Sequence, residues 1–374
     1  MSMSDKNTII GFDAKRIVRN GTGLGSYGRT LVNDLAALPL QLHLYAPDEG
    51  REDLRTQVVK RDNVTFHFPE RASTALGKAL WRSRGIVTDL RRDGIQVFHG
   101  LSGELPIGIR KSGIKSIVTI HDLIFLRHPE YYHWLDSRIY AWKFRRTIKE
   151  ADHIVAISEC TKRDIMEYAL VDSSKITVVY QSCAPRFNVS AKPADTSQRY
   201  ILSVGSIEER KNILLAVKAL HWLPEEVNLV IVGRHTKYAD RVTDYVKAHH
   251  LEHRVSLRHG VTNEELPALY AGAEAFVYPS RYEGFGIPVI EAICCGLPVV
   301  ACTGSCLEEA GGPHSLYVSP DDERGMANAL SSVLKGSDGR DQRIALSRDY
   351  VRRFEGNNIA NQMAELYNYL KVES

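Results

Sequence analysis

The 374-residue sequence lacks the signatures of several large enzyme classes. It has no Gly-x-Ser-x-Gly elbow and no Gly-Lys-Ser/Thr phosphate loop, so hydrolase and P-loop kinase chemistry lose support. No Asp-x-Asp pair stands near a strand end, and no His/Glu cluster has metal-ligand spacing. Any phosphate ligand would then have to be met by Arg, Lys and helix N-termini, which would favour metal-independent chemistry. Cysteine is sparse: Cys160, Cys183, Cys294, Cys295, Cys302 and Cys306 include no Cys-x-x-Cys pair. Neither structural zinc nor a disulfide framework is indicated, which suits a reducing cytoplasm. The net charge of +3 is too small to point to nucleic acid as a partner. No apolar run approaches transmembrane length, and the N-terminus has no signal-peptide core. The expectation is a cytoplasmic protein, at most peripheral on the cytoplasmic face of a membrane.

What is present is a rhythm of strands and helices. The length exceeds what one hydrophobic core normally holds, so two domains are expected. Strand-like runs at Thr8-Ile-Ile-Gly-Phe-Asp, Leu42-His-Leu-Tyr-Ala, Val97-Phe-His, Ser116-Ile-Val-Thr-Ile and His153-Ile-Val-Ala-Ile are mostly separated by helical stretches. That alternation predicts an α/β fold with parallel sheets. It pauses at a polar stretch with two prolines and restarts at Tyr200-Ile-Leu-Ser-Val-Gly205. The expected organisation is a first Rossmann-like domain over 1–185, a linker over 186–199, a second such domain over 200–354 and a C-terminal helix over 355–374. Ile359, Met363, Leu366 and Leu370 share one face of that helix, which is expected to dock, crossing back to the first domain.

The most informative stretch is Glu283-Gly-Phe-Gly-Ile-Pro-Val-Ile-Glu291. A short buried strand precedes it, Pro288 suits a helix start, and Gly296 and Pro298 end the helix. Gly284, Phe285 and Gly286 therefore lie on a strand-to-helix turn whose amides can approach an anion. Two carboxylates would repel that anion unless each faces sugar hydroxyls, Glu283 those of a hexose and Glu291 those of a ribose. The plainer alternative is a surface glutamate and a capping glutamate beside an ordinary turn. Gly205-Ser206 ends another strand, and Arg210-Lys211 follows just before a helix, where the helix dipole disfavours cations. An anionic ligand would explain the pair, since Arg clamps phosphate in a fork and Lys supplies a mobile charge; exposed loop cations are the bland reading. His121 and Asp122 follow a strand and are expected to face a cleft, with His99 a weaker candidate of the same kind. Gly21-Thr-Gly23-Leu-Gly25 reads as a flexible glycine-rich loop bordering that cleft. Two basic, aromatic stretches, Lys78–Arg84 with Arg91-Arg92 and Tyr131–Arg146, could meet a membrane or a lipid-linked acceptor, or simply snorkel around a core-facing stripe.

Taken in this order, these motifs resemble the retaining, GT-B-fold glycosyltransferases of family 4, over almost the whole chain. The resemblance implies two Rossmann-like domains facing across a cleft. It implies transfer of a hexose from a nucleotide-diphosphate sugar to a saccharide or polyprenyl-linked acceptor, with no required cofactor. Arg210 and Lys211 would hold the donor diphosphate, and Glu283 and His121 the donor sugar. Gly284, Phe285, Gly286, Gly205, Ser206, Gly23 and Gly25 would line the sugar and phosphates, and Glu291 would bind the ribose. Many members carry Arg where this chain has Ser206, leaving more of the phosphate work to Arg210 and Lys211. Thr-Ile-His-Asp-Leu and Arg-Lys-Asn look most like mannosyltransferases of bacterial surface-polysaccharide synthesis, making GDP-mannose the first donor expected and a UDP-hexose the second. Other readings of the same fold are a sugar-nucleotide epimerase, a phosphorylase or a non-catalytic sugar-nucleotide sensor.

Overall fold

The computed structural model describes residues 8–70, 72–187 and 198–372, so most of the expected linker, at 188–197, lies outside the described residues. The chain forms two compact units. One runs to Ser182 and resumes at Phe354, and the other spans Cys183–Arg353.

The first unit holds seven strands: β1 Thr8–Asp13, β2 Leu40–Tyr45, β3 Val64–His67, β4 Val97–Gly100, β5 Lys115–Ile120, β6 His153–Ala156 and β7 Ile176–Val178. Their order is β3-β2-β1-β4-β5-β6-β7, and every pairing is parallel. The second unit repeats the plan with β8 Arg199–Val204, β9 Val227–Val232, β10 Val255–Arg258, β11 Ala275–Tyr278, β12 Val299–Cys302 and β13 Leu316–Val318. Its order is β10-β9-β8-β11-β12-β13, again all parallel. Strands covered by helices on both faces are apolar throughout rather than alternating. β11 and β12 follow this rule, with every residue buried. In both sheets the order reverses beside the first strand, between β1 and β4 and between β8 and β11. In open α/β sheets such a reversal is the usual ligand position.

The glycine-rich segment departs from expectation. Gly23, Gly25 and Gly28 are not a flexible loop but the opening turns of a helix, Gly23–Leu35, which follows the short helix Lys15–Arg19. A β-carbon on Gly25 would stand 1.8 Å from the Asn20 carbonyl oxygen, and one on Gly28 2.8 Å from Ile17 Cγ1. Those glycines let two helices touch, a demand that outweighs their poor helix propensity.

The C-terminal helix, Gly356–Val372, belongs to the first unit. Ile359, Met363, Leu366 and Leu370 enter its core with Ile17, Val18 and Leu31. Tyr367, on the same face, hydrogen-bonds through its hydroxyl to His99 Nδ1 in the sheet, 2.7 Å away.

Candidate active site

In the second unit, the loops leaving β8 and β11 lie side by side because the strands pair with Ile201 opposite Ala275 and Leu202 opposite Phe276. The first carries Gly205, Ser206, Arg210 and Lys211. The second carries Ser280, Glu283, Gly284 and Gly286. The Lys211 ammonium donates to Glu283 Oε1 at 2.5 Å and to the Tyr278 hydroxyl at 2.6 Å. Arg210 Nη1 is 3.0 Å from Glu283 Oε2 and donates to the Tyr282 carbonyl. Ser280 donates its hydroxyl to Glu283 Oε1. One buried carboxylate thus bridges two cations, leaving one surplus positive charge among the three, with Glu208 4.0 Å from Arg210. Burial opposes ionisation of Glu283, but Lys211 and Arg210 outweigh it and hold the carboxyl at about 2. Burial also opposes the Lys211 charge, and Glu283 reverses that, lifting the amine above the ordinary lysine range. All three groups are therefore charged at neutral pH.

After Glu283 the chain turns into the helix Ile287–Cys294 through Gly286, at φ 136°. A β-carbon there would press Leu307 Cδ2 at 3.0 Å and Ala310 Cβ at 3.2 Å, so only glycine suits the turn. Phe285 is buried, and Cys306 donates its thiol to the Phe285 and Glu283 carbonyls, fixing the loop from behind. Glu291, one turn into the helix, accepts from the Tyr270 hydroxyl at 3.0 Å. Burial raises its pKa to about 7, with the Tyr270 bond pulling the other way. The two glutamates of the motif are thus held in opposite states, one locked as a carboxylate and one poised near neutrality.

In the first unit, His121 follows β5 and lines a cavity of about 220 Å³ with Asp122, Phe125, Tyr132, Tyr140 and Lys143. Its Nε2 donates to the Leu101 carbonyl at 2.8 Å, and its Nδ1 accepts from the Gln181 amide at 3.1 Å. Burial lowers its pKa to about 4, so the ring is neutral. The edge of one ring meets the face of the other where Tyr27 packs on His121, at 4.8 Å. Asp122 Oδ1 caps the Ile124 amide. Gly25 donates its amide to the Thr22 carbonyl at 3.0 Å, whereas a β-carbon on Gly23 would meet nothing within 4 Å.

His99 corrects the expectation that it faces a cleft. It is fully buried, bonded to Tyr367 and, at 2.7 Å, to Thr119 Oγ1. Burial first, and His121 second, lower its pKa to about 3. Parallel strands put every second residue toward one helical layer, and β4 turns His99 into the layer occupied by the C-terminal helix.

Sequence reasoning gave no role to four groups. Ser280 and Tyr278 had a signal, since they stand in the Tyr-Pro-Ser run just before Glu283. Gln181 and Tyr27 had none, because their approach to His121 depends on sheet order.

The chain's N-terminal half, residues 21–182, matches the glycosyltransferase family 4 model, and residues 186–349 match the group 1 glycosyl transferases. The O-antigen chain mannosyltransferase RfbU of Salmonella typhimurium is 31% identical over 252 residues, covering 66% of this chain and 69% of that protein. The chain belongs to the group 1, family 4 glycosyltransferases. A second relative in sequence, O-antigen chain mannosyltransferase B of Escherichia coli, is 27% identical over 288 residues, covering 73% and 74% of the two chains. In fold, this glycosyltransferase is similar to sucrose-phosphate synthase from Thermosynechococcus elongatus, with a TM-score of 0.79, 21% identity and coverage of 98% and 100%. It is also similar to HepE of Anabaena, solved with UDP and glucose, with a TM-score of 0.72, 16% identity and coverage of 97% and 99%. The two-Rossmann, GT-B architecture expected from the motifs is thus the architecture found. No helix among the described residues is long and apolar enough to cross a membrane. Among the same residues no group of three or more His, Cys, Asp or Glu could hold a metal ion.

Proposed function

We propose that this glycosyltransferase moves mannose from GDP-mannose to a saccharide acceptor with retention of anomeric configuration and without a metal ion. The observation that carries the reading is the Arg210–Lys211–Glu283 cluster at the point where the second sheet reverses its strand order. A diphosphate arriving there meets two fixed cations in a site that already excludes much water, where charge stabilisation is strongest. Glu283 stays ionised and accepts hydrogen bonds from hexose hydroxyls. Glu291, half-protonated near pH 7, can both accept from and donate to ribose hydroxyls. The choice of mannose rests on the two mannosyltransferase relatives.

In the reaction, the bond from the anomeric carbon to the diphosphate oxygen breaks as the acceptor oxygen forms its bond to that carbon. Arg210 and Lys211 stabilise the charge that builds on the departing diphosphate. The acceptor's proton passes to a diphosphate oxygen on the same face, so nucleoside diphosphate leaves and configuration is retained. Glu208 reaches the cluster only at Arg210, 4.0 Å away, and Glu283 itself is tied to two cations and a hydroxyl, which argues against its acting as a nucleophile. His121, neutral and with both ring nitrogens bonded, serves here as a hydrogen-bonding wall rather than as a base. Asp122, Lys143 and the aromatic rings around it would accept the sugar of the acceptor.

The test is transfer from a panel of labelled GDP- and UDP-sugars in the presence of EDTA, with the product's anomeric configuration read by NMR. GDP-mannose should give an α-linked product, and Lys211→Ala and Glu283→Ala should each remove transfer. An inverted product, or a requirement for added divalent metal, would overturn the reading.

A further inference from the structure

The loop leaving β9 brings a third cation toward the Arg210–Lys211–Glu283 cluster. Gly233 packs against the turn after β8, where a β-carbon on it would stand 1.9 Å from the Gly205 carbonyl oxygen. Gly205 donates its amide to the Val232 carbonyl at 2.9 Å, and Ile207 donates its amide to the Arg234 carbonyl at 3.3 Å. The Thr236 hydroxyl closes this seam on the Ile207 carbonyl. The Arg234 backbone is thereby fixed beside the Gly205–Lys211 segment, while its side chain, 78% exposed, stays in water. Ser206, within that segment, brings no charge.

Glu208 stands between the two guanidinium groups. One of its oxygens is 4.0 Å from Arg210 Nη2 and the other 3.9 Å from Arg234 Nη2. Both distances exceed a hydrogen bond, so attraction holds the carboxylate there without a fixed geometry. Glu283, on the other side of Arg210, is held quite differently. It is 11% exposed and 3.0 Å from the same guanidinium, with Lys211 and Ser280 donating to it. Glu208, 39% exposed, adds little to the fold, as solvated ion pairs do. Three cations thus face two carboxylates, one built in and one loosely seated. The loose one lies between two guanidinium forks, a place that a diphosphate fills with stronger, paired hydrogen bonds.

We propose that Glu208 is a resident counter-ion that the donor's diphosphate displaces, and that Arg234 is the third cation this diphosphate then meets. The inference rests on the transferase reading and adds to it a way for product to leave. Once the acceptor's proton has passed on to water, the released nucleoside diphosphate carries one more negative charge than the donor. Cations alone would hold it more tightly than the substrate. Glu208 competes for Arg210 and Arg234 and returns between them as the diphosphate departs. No bond forms or breaks in that exchange.

Isothermal titration of GDP into the full-length wild type, Glu208→Gln, Arg234→Gln and the double variant tests this. Glu208→Gln should bind GDP about twofold to fivefold more tightly, the range of a solvated ion pair. Arg234→Gln should bind it about tenfold more weakly, the loss of one charge-assisted contact. In the Arg234→Gln background, the gain from Glu208→Gln should fall by about half or more, whereas a charge acting only from a distance would add unchanged. Glu209→Gln removes the same charge one position along, from a carboxylate paired with exposed Arg241 at 3.2 Å, and should leave the affinity as it was. Thermal melting should be the same in all of these variants. If the wild type binds GDP but Glu208→Gln binds it no more tightly, or Glu209→Gln gains as much, the counter-ion role is overturned and the transferase reading stands. If the wild type binds no GDP, both fall.

Discussion

Glu291 gives the motif a measurable thermodynamic signature. Its folded pKa, raised by burial from 4.5 to about 7, means that the native state prefers the protonated form. Stability tied to this group is therefore fully present below pH 4.5 and lost as pH rises through 7, by up to about 3 kcal/mol. Glu291→Gln cannot ionise, so urea denaturation should find the variant gaining on the wild type between pH 5 and pH 8. Parallel pH profiles would contradict the assigned burial. A carboxylate that costs the fold stability at working pH is the kind of residue retained for binding. Glu283 shows the reverse arrangement: it is held charged by Lys211 and Arg210, and removing it would strand two buried cations. Both glutamates were legible in sequence from their place around a strand-to-helix turn. Their opposite ionisation was not, because it follows from Lys211 and Arg210 meeting Glu283, while Glu291 meets the Tyr270 hydroxyl and the weaker charge of Arg186.

At the scale of elements, the helix Gly23–Leu35 separates a glycine pressed against its neighbours from one facing open space. A β-carbon at Gly25 collides with the Asn20 carbonyl oxygen at 1.8 Å, while one at Gly23 meets open space. Gly25→Ala should therefore cost about 1–3 kcal/mol in a urea unfolding titration, as overpacking does. Gly23→Ala should unfold within about 0.5 kcal/mol of the wild type, as surface changes do. Equal losses at the two positions would show that the helix does not pack as described. The segment was read from sequence as a loop because its glycines suppress helix propensity, and only the contact with Lys15–Arg19 restores the helix. The strands, by contrast, were plain in the sequence, since β1, β2, β4, β5, β6 and β8 are short apolar runs between turn residues. Likewise the face formed by Ile359, Met363, Leu366 and Leu370 announced a docking helix. The same helix also carries Tyr367, and its bond to His99 could not be read, because sequence spacing does not say which layer a strand-end histidine enters.

For the whole molecule, the repeated sheet order explains why so much of the fold could be read from the chain. Two halves built on one alternation each give a strand-order reversal, and in the second half Arg210, Lys211 and Glu283 sit on the loops leaving the strands beside it, β8 and β11. What alternation cannot convey is which distant stretches share a cavity. Lys15, Lys78 and Arg146 lie on three separate helices, Lys15–Arg19, Ala75–Leu80 and Trp134–Glu150, yet line one cavity. The central claim is that a nucleoside diphosphate is bound in the second unit by protein cations alone. Isothermal titration of GDP into the wild type and Lys211→Ala, both in EDTA, tests it most directly. The account predicts binding to the wild type and an affinity about tenfold to a hundredfold weaker in the variant, the loss of one charge-assisted contact to phosphate. Equal affinities, or no binding until magnesium or manganese is restored, would contradict it.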